Sequence, residues 1–214
     1  MANHNDSISQ LIDGHHSFKE KHTKDRALYE KLAKQGQKPP IMMIACCDSR
    51  VDPTVIFNCQ PGELFVVRNV ANLVPPFEND TKHHGTSAAL EFAVMGLNVK
   101  DIVLLGHSQC GGIQSLMNAE KQDSSTDFIS TWMNVAAPAK HAVLANSTSM
   151  TTQKRACHCE REALLVSLKN LKSFPWIQSR VNTNELHLHA WHFDLATGEI
   201  HAHDKGSNTF TLLK

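Results

Sequence analysis

The chain carries no surplus of charge: Lys and Arg together number 21, Asp and Glu also number 21, in 214 residues. Without a net field of either sign, nothing in the composition argues for nucleic acid, a membrane surface or a strongly charged partner. No segment approaches the roughly 20 consecutive apolar residues that a spanning helix needs. The opening Met-Ala-Asn-His-Asn-Asp-Ser lacks a basic region followed by an apolar stretch. Internal repeats, low-complexity tracts and interdomain linkers are missing too. These absences predict a soluble, cytoplasmic enzyme built as one domain over 1–214, with 1–36 as an arm of that same domain. There the cysteines at 46, 47, 59, 110, 157 and 159 are expected to stay reduced, serving metal binding or packing rather than disulfides.

What is present divides into a helical arm and an α/β pattern. Residues 7–35 place Ile8, Leu11, Ile12, Leu28, Leu32 and Ala33 at helical spacing among charges, with Gly14 as a breaker and Gly36 and Pro39-Pro40 as the stop. An amphipathic arm of this kind is expected to pack on a neighbour or a partner subunit. Ile41 to Ala45, Leu64 to Val67 and Asp101 to Leu105 are short apolar runs of the kind that form buried parallel strands. Between the second and third, Thr86 to Leu97 suits a crossover helix. Helical patterns dominate from Ile113 to about Val181, interrupted at Pro138, at Asn146 to Thr152 and at Pro175. Glu185 to Leu195 and Glu199 to His203, joined by Ala196-Thr197-Gly198, read as a hairpin. The predicted class is α/β: a central, mostly parallel β-sheet with a C-terminal antiparallel edge hairpin, flanked by helices, with an N-terminal helical arm.

Cys46 directly follows the first apolar run and His107 the third, and in open α/β sheets ligands gather beyond the carboxyl ends of strands. Cys110 lies three residues past His107, where a glycine-flanked loop enters a helix; Gly111 and Gly112 permit close backbone approach. Two thiolates and one imidazole leave the fourth position of a tetrahedral ion free, which separates catalytic from structural zinc. Cys47 leaves the strand on the opposite face from Cys46, which disfavours a site closed by Cys47, Cys59, Cys157 or Cys159. Because two thiolates cancel the formal charge of zinc, a bound water needs help from nearby groups. Asp48 can accept a hydrogen bond from a zinc-bound hydroxide, and Arg50 can hold that carboxylate by a bidentate pair. Such a centre suits attack on a small electrophilic carbon, or hydrolysis of an ester, amide or amidine. The residues alone leave that choice open.

Other constellations carry less. Cys157-His158-Cys159 sits at a helix start, where three consecutive side chains cannot face one ion, so packing is expected. His187 and His189 share a strand face and leave a weak surface metal site open, and His83 or His84 suits proton relay to buffer.

The sequence resembles the β-class carbonic anhydrases. The likeness runs through Cys46-x-Asp48-Ser49-Arg50, Pro61-Gly62-Glu63-x-Phe65-Val66-Val67-Arg68-Asn69-Val70-Ala71-Asn72 and Gly106-His107-Ser108-x-Cys110-Gly111-Gly112. It continues through Glu91-Phe92-Ala93-Val94, Cys159-Glu160-Arg161-Glu162-Ala163 and Phe193-Asp194-x-x-x-Gly198, and covers most of residues 35–200. The resemblance implies reversible hydration of carbon dioxide to bicarbonate and a proton by attack of zinc-bound hydroxide. It implies one Zn2+ per subunit on Cys46, His107 and Cys110, with Asp48 and Arg50 as the catalytic dyad. Substrate contacts are implied for Gln37, Phe65, Val70, Phe92 and Gly111, with Gln37 reaching across the subunit interface of a homodimer or homotetramer with shared active sites. Met43 and Phe193 stand where members with a bicarbonate-controlled closed form carry tryptophan and tyrosine, which implies the plant-like, open-site type. Phe92 stands where plant-like members often have tyrosine. Two other readings use the same ligands: hydrolysis of carbonyl sulfide or carbon disulfide, and a non-enzymatic scaffold stabilised by zinc under a fourth cysteine.

Overall fold

The computed structural model describes residues 4–80, 82–118, 128–145 and 150–213, so most of the interruption predicted at 146–152 falls outside the described residues. The chain divides into two compact units, Met1–Gln37 and Lys38–Lys214.

The first unit is two helices, α1 (His4–Lys24) and α2 (Arg26–Gln35). Gly14 does not break α1, contrary to expectation. An exposed glycine inside a helix costs only about 1 kcal/mol relative to alanine, and the chain turns instead at Asp25, whose carbonyl oxygen accepts from Leu28 N at 2.9 Å. Phe18 meets Tyr29 edge-on at 5.8 Å and the His22 and Tyr29 rings lie 4.2 Å apart, tying α1 to α2. Ile8, Leu11 and Ile12 remain exposed.

The second unit is built on a six-stranded sheet of order β2-β1-β3-β4-β5-β6. In chain order it runs β1 (Ile41–Cys46), α3 (Pro53–Ile56), β2 (Leu64–Asn69), a 3-10 turn Val70–Asn72, α4 (Gly85–Glu91), a π turn Phe92–Gly96 and β3 (Asp101–His107). Then come α5 (Gly111–Asn118), α6 (Phe128–Met133), a 3-10 turn Asn134–Ala136, α7 (Ala137–Ala145), α8 (Thr152–Leu171) and α9 (Pro175–Asn182). The chain finishes with β4 (His187–Phe193), β5 (Ile200–Asp204) and β6 (Thr209–Leu212). β2, β1, β3 and β4 are parallel; β5 and β6 return antiparallel.

Strand alternation sorts the apolar runs between the two faces. Met42, Ile44, Ile102, Leu104, Leu188 and Ala190 pack with Leu164, Leu168 and Leu171 of α8. Met43, Ala45, Val103 and Leu105 form a smaller cluster on the other side, with Val66, Trp191 and Phe193. Full burial of each such valine, leucine, isoleucine or methionine side chain stabilises by roughly 1.5–3 kcal/mol. Pro138 and Pro175 fall in the first turns of α7 and α9, where a missing N–H costs nothing. The crossover helix predicted to Leu97 ends α-helically at Glu91 and finishes as a π turn, with Leu97 N on Phe92 O at 2.9 Å. The expected hairpin gains a further strand, β6, which the sequence reading lacks. Among the described residues no helix is long and apolar enough to cross a membrane.

Candidate active site

The strand order places a topological switch at β1 and β3: after β1 the chain crosses to β2 on one side, then returns past β1 to β3 on the other. Crevices beyond the carboxyl ends of such strands are the usual ligand sites of open α/β sheets. Cys46 is the last residue of β1 and His107 the last of β3. Ser108 and Gln109 turn the chain, with Gln109 in the left-handed region at φ 58°, and Cys110 follows at the mouth of α5. All three side chains are buried, and one ligand atom from each lies within 4.8 Å of the others. The Cys46 and Cys110 sulfurs are 4.0 Å apart.

His107 Nδ1 donates to Ser108 O at 2.9 Å, which fixes the tautomer and leaves the lone pair on Nε2. That Nε2 is buried without a partner. A buried, bare imidazole nitrogen beside two thiols fits a zinc ion by position and donor chemistry. The protons distribute accordingly. Contact with Cys110 holds the Cys46 thiol far below its ordinary range, against the opposing cost of burial. The same contact, reinforced by burial, pushes Cys110 up. Burial works against protonation of His107, yet the neighbouring Cys46 outweighs it and the net shift is upward.

Asp48 and Arg50 flank this cluster. Arg50 Nε donates to Asp48 Oδ1 at 2.9 Å and Nη2 to Oδ2 at 2.7 Å, while the Arg50 main-chain N–H adds a bond to Oδ1 at 3.0 Å. These bonds hold the carboxyl far below the usual carboxylate range, despite some desolvation. Arg50 Nη2 also reaches Gln109 O at 3.2 Å, linking the dyad to the loop that carries Cys110.

Several residues that position the site escaped the sequence reading as functional. Arg68, from β2, donates from Nε to Cys46 O at 2.8 Å, from Nη2 to Asp48 O at 2.6 Å and from Nη1 to Asp52 Oδ2 at 3.0 Å. Asn69 exchanges two 2.8 Å bonds with the backbone of Leu73, bracing a turn in which Ala71 and Asn72 take positive φ. Buried Glu160 accepts from Cys110 N at 3.2 Å through Oε1 and pairs through Oε2 with His192 Nε2 at 3.0 Å. Arg68, Asn69 and Glu160 all stand inside the quoted motifs, which was the signal available.

Residues 41–200 match the family profile described as carbonic anhydrase. The chain is 40% identical over 200 residues to beta carbonic anhydrase 3 of Arabidopsis thaliana, a match covering 92% of this chain and 77% of that protein. Beta carbonic anhydrase 5, chloroplastic, from the same plant is 39% identical over 193 residues, covering 90% of this chain and 63% of that protein, so the chain spans less than two thirds of it. This chain belongs to the β-carbonic anhydrase family. Its fold superposes on the β-carbonic anhydrase CcaA with a TM-score of 0.92 at 32% identity, over 98% of this chain and 93% of that one. A tetrameric β-carbonic anhydrase of the ascomycete Sordaria macrospora gives a TM-score of 0.78 at 29% identity, over 92% and 96%.

The remaining residues singled out from the resemblance lie on β2 and the turn after it, at the start of α5, on the π turn and at the end of the first unit. Val70 follows β2 directly and packs with the cluster that contains Cys46 and Cys110, its carbonyl oxygen accepting from Trp132 Nε1 at 2.8 Å. Gly111 opens α5 with nothing within 4 Å of where a Cβ would stand. Phe65 packs against the core under α8, and its ring lies 5.8 Å from that of Phe92, which is exposed. Gln37 closes the first unit and is exposed. Cys47 is exposed while Cys59 bonds Phe57 O at 3.8 Å, and neither joins the three ligands. Cys159 is fully buried in packing. His189 pairs with Asp101 at 2.8 Å, and His84 with Asp80 at 2.6 Å.

Proposed function

We propose that this protein catalyses the reversible hydration of carbon dioxide to bicarbonate and a proton, with one zinc ion per subunit on Cys46, His107 and Cys110. The observation that carries the reading is the bare, buried Nε2 of His107 beside two buried thiols, with the Asp48–Arg50 pair adjoining them. When bound, zinc supplies the Lewis acidity that makes water nucleophilic near neutral pH. Asp48 stays ionised throughout the working range and therefore only accepts: it takes a hydrogen bond from the attacking water and turns a free lone pair toward the substrate carbon. Arg50 fixes the carboxylate so that this orientation costs little at the moment of reaction. Phe65, Val70 and Phe92 supply apolar contacts suited to carbon dioxide; Gly111 N–H and the Gln37 amide are the polar contacts.

The reading includes the open-site type. Asp48 stands outside the ligand cluster with both oxygens held by Arg50, and Met43 and Phe193 pack among apolar side chains. It also includes a homodimer or homotetramer with shared active sites. The Sordaria protein, which is tetrameric, supports this, as does an apolar groove of about 700 Å³ along Val70, Ile129, Trp132 and Phe128, the last 91% exposed. A cytoplasmic setting belongs to the same proposal, in keeping with six free cysteines.

Stopped-flow hydration of carbon dioxide across pH, on wild type and Asp48→Asn with zinc counted in both, tests the reading. Wild type should be active and the variant should keep its zinc while losing about 100-fold in kcat. Equal activity in both would remove Asp48 from the reaction, and sulfide release from carbonyl sulfide without hydration would overturn the assignment.

A further inference from the structure

Cys157, Glu160 and His192 converge behind the loop that carries Cys110. Cys157 and Glu160 stand three residues apart on α8, so one helix face presents both. His192 comes from β4, on the side of the sheet that α8 covers. One ligand atom from each residue lies within 4.8 Å of the other two. The Glu160 and His192 side chains are 3% and 2% exposed, and their pair is 3.0 Å long. With Nε2 taken by the carboxylate, Nδ1 of His192 is buried without a partner.

Access is already built. A cavity of about 700 Å³, bordered by Gln109, Gln114, Cys157, Glu160 and Asp194, leads from solvent to this cluster. Neither Cys157 nor His192 has a part in the hydration chemistry. The contrast with its neighbours is informative: Cys159 turns into the core, whereas Cys157 turns toward a carboxylate and an imidazole. A thiolate, a carboxylate and an imidazole on rigid elements are a donor set for zinc and similar borderline divalent ions.

We propose that Cys157, Glu160 and His192 form a second transition-metal site, separate from the Cys46, His107 and Cys110 centre, that takes Zn2+ or a related divalent ion. Binding releases the Cys157 thiol proton to solvent and takes Nε2 of His192, whose proton passes to the bare Nδ1, so that the imidazole ligates in its neutral form. Glu160 couples the two centres, because its other oxygen holds the Cys110 N–H. An ion that draws on this carboxylate loosens the brace on a catalytic ligand, so excess metal lowers turnover.

The full chain, charged with one zinc per subunit, is titrated with Co2+, whose thiolate ligands announce themselves by charge-transfer absorption. Wild type should take a second equivalent with that absorption. Cys157→Ser and Cys157→Ala should lose the band, bind the second equivalent at least about tenfold more weakly, and keep hydration activity and the first zinc. Excess Zn2+ should inhibit wild type and spare both variants. Uptake of no second equivalent by wild type overturns the proposal, as does a charge-transfer band that persists in both variants. Inhibition that is identical in all three proteins overturns the coupling through Glu160.

Discussion

Arg68 fastens the end of β1 from the neighbouring strand: its Nε lies 2.8 Å from the carbonyl oxygen of Cys46, the residue that ends β1. Two further bonds, to Asp48 O and Asp52, make this one guanidinium the anchor of the whole Cys46–Asp52 turn. Lysine cannot reproduce a planar fork that serves three acceptors. We expect Arg68→Lys and Arg68→Ala both to destabilise, the alanine variant by about 2–3 kcal/mol, read as a Tm lower by roughly 5–10 °C. Zinc should also dissociate faster from Arg68→Ala, measurable by chelator competition. An unchanged Tm and zinc off-rate would show the clamp to be incidental.

Arg50 acts on the carboxylate rather than on the fold. It is half-exposed, and both of its fork bonds go to Asp48. Arg50→Lys should therefore leave Tm essentially unchanged while kcat falls at least about tenfold, with KM little changed. A variant that loses stability and activity in step would assign Arg50 a structural role instead.

Gly111 and Gly112 are adjacent yet meet opposite surroundings. A Cβ on Gly112 would stand 2.8 Å from Val70 Cγ1, 3.2 Å from Ala71 Cβ and 3.3 Å from Met133 Sδ. Valine is stiff at χ1, and the Val70 backbone is held by Trp132, so the clash has little room to relax. Gly112→Ala should cost about 1–3 kcal/mol. Gly111→Ala, with nothing within 4 Å, should leave Tm unchanged or slightly raised. Its effect on KM for carbon dioxide then reports directly on substrate contact.

What the sequence disclosed and what it hid follow from how local each interaction is. β1 and β3 stood out because a continuous apolar run has one obvious fate in a sheet covered on both faces, and the ligands stood out because they directly follow those runs. The Asp48–Arg50 pair spans two positions. Arg68 is different: its acceptors lie 16 to 22 residues earlier and two of them are main-chain carbonyls, which no side-chain pattern announces. Glu160 and His192 meet across 32 residues, joining a helix to a strand. β6 is four residues of mixed polarity at a sheet edge, held by pairing with β5 rather than by an apolar face. Gly14 marks the limit of a local signal: one glycine's small propensity cost does not interrupt a helix of 21 residues.

Asp194 carries an acid-sensitive part of the stability. Backbone N–H bonds from Ala196 and Thr197, at 2.8 and 3.1 Å, depress its pKa in the folded state. The folded protein thus holds the proton less tightly than the unfolded chain. The stabilisation is complete above the unfolded value of about 3.9 and is lost as pH falls through the depressed folded value. Asp194→Asn should lower Tm at pH 7 by about 2–4 °C, and the gap to wild type should close as the pH is taken below about 4. A gap constant with pH would contradict this origin.

The three ligands also have a mechanical meaning. Cys46 and His107 terminate two strands that lie side by side in the sheet although about sixty residues, including all of β2, separate them along the chain. An ion held by both is a cross-link between the switch-point strands, closing a long loop in the way a disulfide would. In the proposed zinc-bound protein, loss of metal would remove that cross-link where the chain reverses its direction of growth, so zinc retention and the integrity of the β1–β3 pairing should fall together.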